Sequence, residues 1–184
     1  MAEDKQSFGM RFVVTVISRA NGNNAFAARM SRADNPDTEY QALGDLCACG
    51  INVECDEQRQ PCAVIGAALC RSRVQQDGNL TLGAALRRCQ DTQKDGQGGD
   101  TPKAGIQDSP RLRRLLACDS LAEACGVLRQ MLAMLHSKDV PLCHAALLDD
   151  LRKFCFDDSR QRVKRRWAQD FYGQKPDSDA AEET

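Results

Sequence analysis

Apolar positions recur along most of this chain at three- and four-residue steps, the spacing of a helix face buried on one side. Phe8, Phe12 and Val16 lie on such a stripe, although the β-branched run from Val13 to Ile17 taken alone favours a strand. No second strand is available to pair with it, so a helix is expected there. Asn35 and Pro36 read as an N-cap and a first helical residue, with Tyr40, Leu43 and Leu46 following at three-residue steps. That pattern predicts a short amphipathic helix. Pro61 is read the same way, opening a helix over 62–74, and Thr81 opens another over 82–89. Ser120 and Glu123 have the spacing of a capping box ahead of Cys125, Leu128, Leu132 and Leu135. Two further helices are expected over 143–156 and 159–172, the second carrying Val163, Trp167 and Phe171 on one face. Trp167 should therefore be buried. With no hairpin turn chemistry, the expected fold is an all-α helical bundle with negligible sheet.

A polar, Gly-rich segment over 91–108 interrupts this pattern. It reads as a flexible linker, so the bundle is expected in two parts: an N-terminal helical part over 1–90 and a C-terminal bundle over 109–173. Residues 174–184 set Lys175 against Asp177, Asp179, Glu182 and Glu183 and read as a disordered acidic tail. At 184 residues the chain is long enough for a real core. Nothing in it approaches the roughly 18 consecutive apolar residues of a membrane span. Its first ten residues also lack the basic and apolar regions of a signal peptide, so no membrane association and a cytoplasmic location are expected.

The chain holds 10 cysteines. Their apolar surroundings, as at Cys70 and Cys125, suit reduced thiols acting as small hydrophobes. Paired C-x2-C knuckles are missing, so neither a metal nor any other cofactor is expected. The 2 histidines, His136 and His144, are read as helix-surface residues without a carboxylate arrangement. Cys143 and His144 are adjacent and diverge by about 100° on a helix, too far for a nucleophile and its base. The sequence holds no Walker loop, no G-x-S-x-G elbow and no Rossmann fingerprint, and Gly96, Gly98 and Gly99 follow no strand. A non-enzyme is expected.

Basic residues are more informative. Lys plus Arg number 25 against 26 Asp plus Glu, giving a net charge of -1 and excluding a uniformly basic packing protein. Eighteen of the 25 are arginine, the side chain best shaped to fork onto phosphate. They cluster at Arg29 and Arg32, Arg71 and Arg73, Arg87 and Arg88, Arg111, Arg113 and Arg114, and from Arg160 to Arg166. In the last cluster Arg162 and Arg165 point away from the Trp167 face, with Lys164 and Arg166 on its flanks. A solvated helix face is the plain reading of one such cluster. Five of them in a neutral chain favour a folded basic stripe, because the acidic residues gather instead in the linker, the tail and the loops.

Four segments, in order, carry a resemblance: Arg29 to Ala33 followed by Tyr40 to Ala42; Thr81-Leu-Gly-Ala-Ala-Leu86; Ser109 to Leu116 with Asp119; and Val163-Lys-Arg-Arg-Trp-Ala-Gln-Asp-Phe-Tyr172. Together they resemble the CasB family, the small subunits of the type I-E CRISPR Cascade complex. The resemblance implies an all-α, non-catalytic subunit, present with a second copy of itself beside the backbone and large subunits of Cascade. It would hold the guide RNA, the target DNA strand and the displaced strand by their backbones, adding R-loop stability while base pairing reads sequence. Within the matched segments the candidate nucleic-acid contacts are Arg29, Arg32, Arg87, Arg88, Arg111, Arg114, Arg162, Lys164, Arg165 and Arg166, with Arg71 and Arg73 as a secondary pair. Two alternatives fit the residues alone: a free-standing helical interaction or regulatory module, and a cysteine-rich metal-binding module. The 91–108 segment is longer than the family pattern suggests, and cysteine stands at several core-like positions.

Overall fold

A computed structural model describes residues 6–94 and 109–173. These form nine α-helices and one 3-10 turn; among the described residues no strand occurs, only a single bridge between Leu80 and Leu142. The expected all-α fold is the one observed. Its linker and acidic tail fall largely outside the described residues. Residues 91–94 are an exception, since they continue a helix instead of opening the linker.

Helix α1 (Phe8–Gly22) starts at Ser7, whose hydroxyl accepts from the Met10 amide, and it buries Phe12, Val13, Val16 and Ile17. The β-branched run is thus helical, because helix α8 (His144–Lys153) and helix α4 (Asp56–Arg71) cover its apolar stripe. Helix α2 (Asn24–Met30) follows at once, capped by the Asn23 side chain. The helix expected from Asn35 does not form as one piece. Asn35 closes a local turn instead, its side-chain oxygen accepting from the Asp37 amide at 3.1 Å, and a 3-10 turn (Glu39–Gln41) leads into a short α3 (Leu43–Ala48). An Asx side chain can bond to the amide two residues on as readily as it caps a helix, and here the turn wins.

Pro61 does not open its helix either. Helix α4 begins five residues earlier, where Asp56 and Glu57 favour the positive N-terminal end, and Pro61 sits inside it, costing one intrahelical hydrogen bond. Every residue from Pro61 to Cys70 is buried, so α4 is apolar all round, as a central helix should be. It touches α1, α2, α3, α7 (Leu121–Ser137) and α8. Ala63, Gly66, Ala67 and Ala68, with Cys62 and Cys70, keep its girth small enough for so many neighbours. This accounts for part of the cysteine content. Burial pushes the thiols of Cys62 and Cys125 up to about 12 and that of Cys70 up to about 11, so they pack rather than react.

Helix α5 (Leu82–Lys94) lies along α9 (Asp157–Tyr172), and α6 (Pro110–Ala117) packs on both α7 and α9. The capping box is formed: Ser120 Oγ accepts from the Glu123 amide at 3.2 Å, and Glu123 Oε2 accepts from the Ser120 and Asp119 amides. One apolar cluster runs through helices from both sides of residues 95–108. The two sequence halves share it by pairing α1 with α8, α4 with α7, and α5 with α9.

Candidate nucleic-acid interface

The C-terminal basic segment is anchored from within. Trp167, 1% exposed, stacks on Phe154 with ring centres 5.8 Å apart, and its indole N–H donates to Asp150 Oδ2 at 2.9 Å. Arg166 binds the other Asp150 oxygen. Lys164, placed on the flank by its sequence position, is buried and donates to Asp119 Oδ1 at 3.3 Å. These groups fasten α9 to α8 and to the start of α7. Arg162 and Arg165 remain on the outside: Arg162 has no side-chain partner among the described residues, and Arg165 donates only to the Gln161 carbonyl of its own helix.

Helix α6 offers a similar pair. Ser109 caps it, Pro110 occupies its first turn, and Leu112 and Leu115 point into the core. Arg111 and Arg114 are therefore exposed, and neither makes a side-chain hydrogen bond or ion pair among the described residues. Because α6 packs on α9, Arg111, Arg114, Arg162 and Arg165 belong to neighbouring helices.

The remaining candidates divide differently. Arg29 forks onto Asp45 at 2.7 and 2.9 Å and ties α2 to α3. Arg32 is exposed and donates to Gln41 Oε1 at 3.0 Å. Arg87 is half-buried and donates to the Gly173 carbonyl, closing the end of α9. Arg88 is exposed with an intramolecular contact of its own. Arg71 binds Asp34, whose buried carboxylate also lies 3.2 Å from Arg129 Nε. Arg73 is exposed without a side-chain partner among the described residues. Periodicity locates arginines on the outer face of a helix but carries no signal for Asp34, Asp45 or Asp150, each supplied from a distant segment.

His144 is not a surface residue without a carboxylate, as its sequence setting suggested, whereas His136 is half-buried on α7 and has no carboxylate partner of its own among the described residues. His144 is 2% exposed. The loop after α4 folds back over the start of α8 and sets Asp77 Oδ1 at 2.7 Å from His144 Nδ1 and 2.8 Å from its amide nitrogen. His136 Nε2 lies 2.8 Å from His144 Nε2, and Ser72 Oγ lies 2.6 Å from His136 Nδ1. One proton order satisfies the whole chain: serine hydroxyl to His136, His136 N–H to His144, His144 N–H to carboxylate. Burial, with the charges of His144 and Arg71, lowers the His136 pKa to about 4. Burial pushes Asp77 upward, but hydrogen bonds from the His144 ring and the Ala145 and His144 amides outweigh it and lower its pKa. A serine in such a chain is poorly placed as a nucleophile. It stands at the C-terminal end of α4, where the helix dipole opposes a developing alkoxide, and its base is weak.

All ten cysteines are thiols, and among the described residues no group of three or more His, Cys, Asp or Glu could hold a metal. No helix of the described residues is long and apolar enough to cross a membrane.

The described residues thus define an all-helical protein with exposed arginines on an internally pinned helical frame. More particularly, residues 27–172 match the family model of CRISPR-associated protein Cse2, and the chain belongs to that family. Membership makes it a small subunit of the type I-E Cascade complex, associated with other Cascade subunits. Its fold is similar to the crystal structure of CasB from Thermobifida fusca, with a TM-score of 0.57 at 16% identity, covering 88% of this chain and 98% of that one. No curated protein sequence matches the chain.

Proposed function

We propose that this subunit works without catalysis of its own, by laying exposed arginines against nucleic-acid backbones inside Cascade. The observation that carries the reading is the set Arg111, Arg114, Arg162 and Arg165, exposed on the neighbouring helices α6 and α9 with no carboxylate partner among the described residues. An outer-face arginine left without an acidic neighbour keeps its full charge for phosphate. Guide RNA, target strand and displaced strand are the ligands proposed, with Arg29, Arg32, Arg87 and Arg166 in supporting positions because each already spends part of its fork on the protein, and with Arg88, which has an intramolecular contact of its own, beside them. Lys164, fastened to Asp119, is the weakest member of the set. Exchange of a DNA duplex for a guide heteroduplex is nearly balanced, so a few backbone contacts suffice to tip it.

The subunit is further proposed to sit in the cytoplasm beside a second copy of itself and the backbone and large subunits, without a cofactor. Affinity purification of the tagged chain from its native host tests this. Recovery of the other Cascade subunits with a short RNA of uniform length supports the reading; recovery of a protein partner without RNA would favour an interaction module instead.

A further inference from the structure

A groove of about 570 Å³ lies between α1, α2 and the end of α4, away from the α6 and α9 arginines in the sequence. We propose that it seats one nucleotide unit, with the phosphate on Arg73 and the base on an apolar floor; this rests on the reading that the chain handles nucleic acid.

The volume falls within the range of small-ligand pockets. Val74, with Ala20 and Ala27, supplies the accessible apolar floor, laid over the buried Val16, Ile17 and Leu69. Ala28 lines it too, and the short alanine side chains leave the space open. The carboxamides of Asn21 and Asn24 are at the rim, and neither has a hydrogen-bond partner among the described residues. Carboxamides are the side chains that pair with base edges.

The α4 end of the groove is positive. Arg71 and Arg73 both line it; Arg71 is paired with Asp34, and Arg73 supplies the charge that no carboxylate among the described residues neutralises. Arg73 is also strained. It has φ 49 and holds the left-handed position just past the helix, where the Arg73 amide donates to the Cys70 carbonyl and the Val74 amide to the Leu69 carbonyl. Glycine is the residue that this closing motif favours, since a Cβ is crowded there. The turn is also pinned from both sides, by Arg71 to Asp34 and by Ser72 to His136. The strained turn thus displays at the groove mouth an exposed guanidinium with no partner among the described residues, and backbone strain of this kind gathers where a ligand is held.

The test separates folding from binding in the full chain. Arg73→Gly relieves the left-handed strain, so its thermal midpoint should not fall, while binding should weaken by roughly tenfold, the worth of one charged hydrogen bond. Arg73→Lys keeps the charge without the fork and should lie between. Two probes distinguish the sources of the nucleotide: 5′-AMP, followed by amide shifts in NMR, and a labelled 12-nucleotide single strand, followed by anisotropy. If AMP competes with the strand and Arg73→Gly weakens both, the groove takes a nucleotide extruded from a strand. If only AMP binding depends on Arg73, it takes free nucleotides. Unchanged affinity for both probes in Arg73→Gly overturns the site, even if changing Arg111, Arg114, Arg162 and Arg165 to Ala weakens strand binding and so supports the α6 and α9 surface. Weaker binding in Arg73→Gly with no effect of those four changes would uphold the groove and overturn the other surface.

Discussion

Asp150 holds two residues of the C-terminal basic segment to opposite purposes. One oxygen takes the indole N–H of Trp167, inside the core, and the other takes Arg166 at the edge of the exposed face. Trp167→Ala removes a stacked, fully buried ring and leaves Asp150 short of a donor, so unfolding in urea should show a loss on the order of 3–5 kcal/mol. A loss below about 1 kcal/mol would mean that the ring is not packed as described. That Trp167 is buried was legible from its spacing to Val163 and Phe171. Its partner was not, because a carboxylate that satisfies a buried ring leaves no local mark in sequence.

The same limit applies to His136 and His144, which look unpartnered until a loop brings Asp77 to them. The titration of His136 has a definite sign. The His136 pKa falls from 6.5 in the unfolded chain to about 4 in the folded one, so between these values the unfolded chain binds a proton that the fold excludes. Its contribution to stability is complete above pH 6.5 and is lost as pH falls through about 4, with an upper bound on the order of 3 kcal/mol. Urea midpoints measured from about pH 7.5 down to about 4 should fall less steeply in His136→Gln than in the parent chain. Parallel profiles would show that the imidazole is not held neutral.

At the scale of helices, the packing of α5 on α9 explains why two of the most recognisable stretches of sequence matter together. Thr81-Leu-Gly-Ala-Ala-Leu86 and the segment ending in Tyr172 are the two sides of one helix pair. A Cβ added at Gly83 would lie 2.3 Å from the Trp167 carbonyl oxygen, and one at Gly9 would lie 2.1 Å from that of Ala145. Glycine at these positions lets α5 approach α9 and α1 approach α8. Gly83→Ala should cost about 1–3 kcal/mol by overpacking. Gly126, in α7, has nothing within 4 Å of its added Cβ, so Gly126→Ala should instead stabilise by up to about 1 kcal/mol through helix propensity. Calorimetric midpoints moving in opposite directions would verify both; a harmless Gly83→Ala would contradict the close crossing. Helix starts were legible where the cap is reciprocal, as at Ser120 and Glu123. They were misread at Asn35 and Pro61, because Asx turns and a proline tolerated inside a buried helix carry the same residues as true helix starts.

For the whole molecule, the arginines divide into fasteners and displays. Arg29 and Arg166 join helices to one another, Arg87 ties α5 to the end of α9, and Arg71 and Arg129 tie α4 and α7 to Asp34 in the turn after α2. Among the described residues, Arg111, Arg114, Arg162 and Arg165 do not reach across the fold. The sequence pattern marked both groups alike, since clustering reports local charge and not the distant carboxylates that neutralise it. Variants meant to probe binding should therefore spare Arg166, whose removal would strand the buried Asp150 and confuse folding with function.

The most direct measurement is the salt dependence of target-DNA binding by assembled Cascade carrying this subunit with Arg111, Arg114, Arg162 and Arg165 all changed to Ala. If these side chains hold phosphates, affinity should fall about equally for every matched guide, and the plot of log affinity against log salt should become shallower by roughly 0.7–0.9 for each phosphate that is no longer neutralised. The subunit's own thermal midpoint should stay within about 2 °C of the parent, since exposed, unpaired arginines contribute little to folding. Unchanged affinity and slope in a properly assembled complex would show that the four arginines are merely solvated.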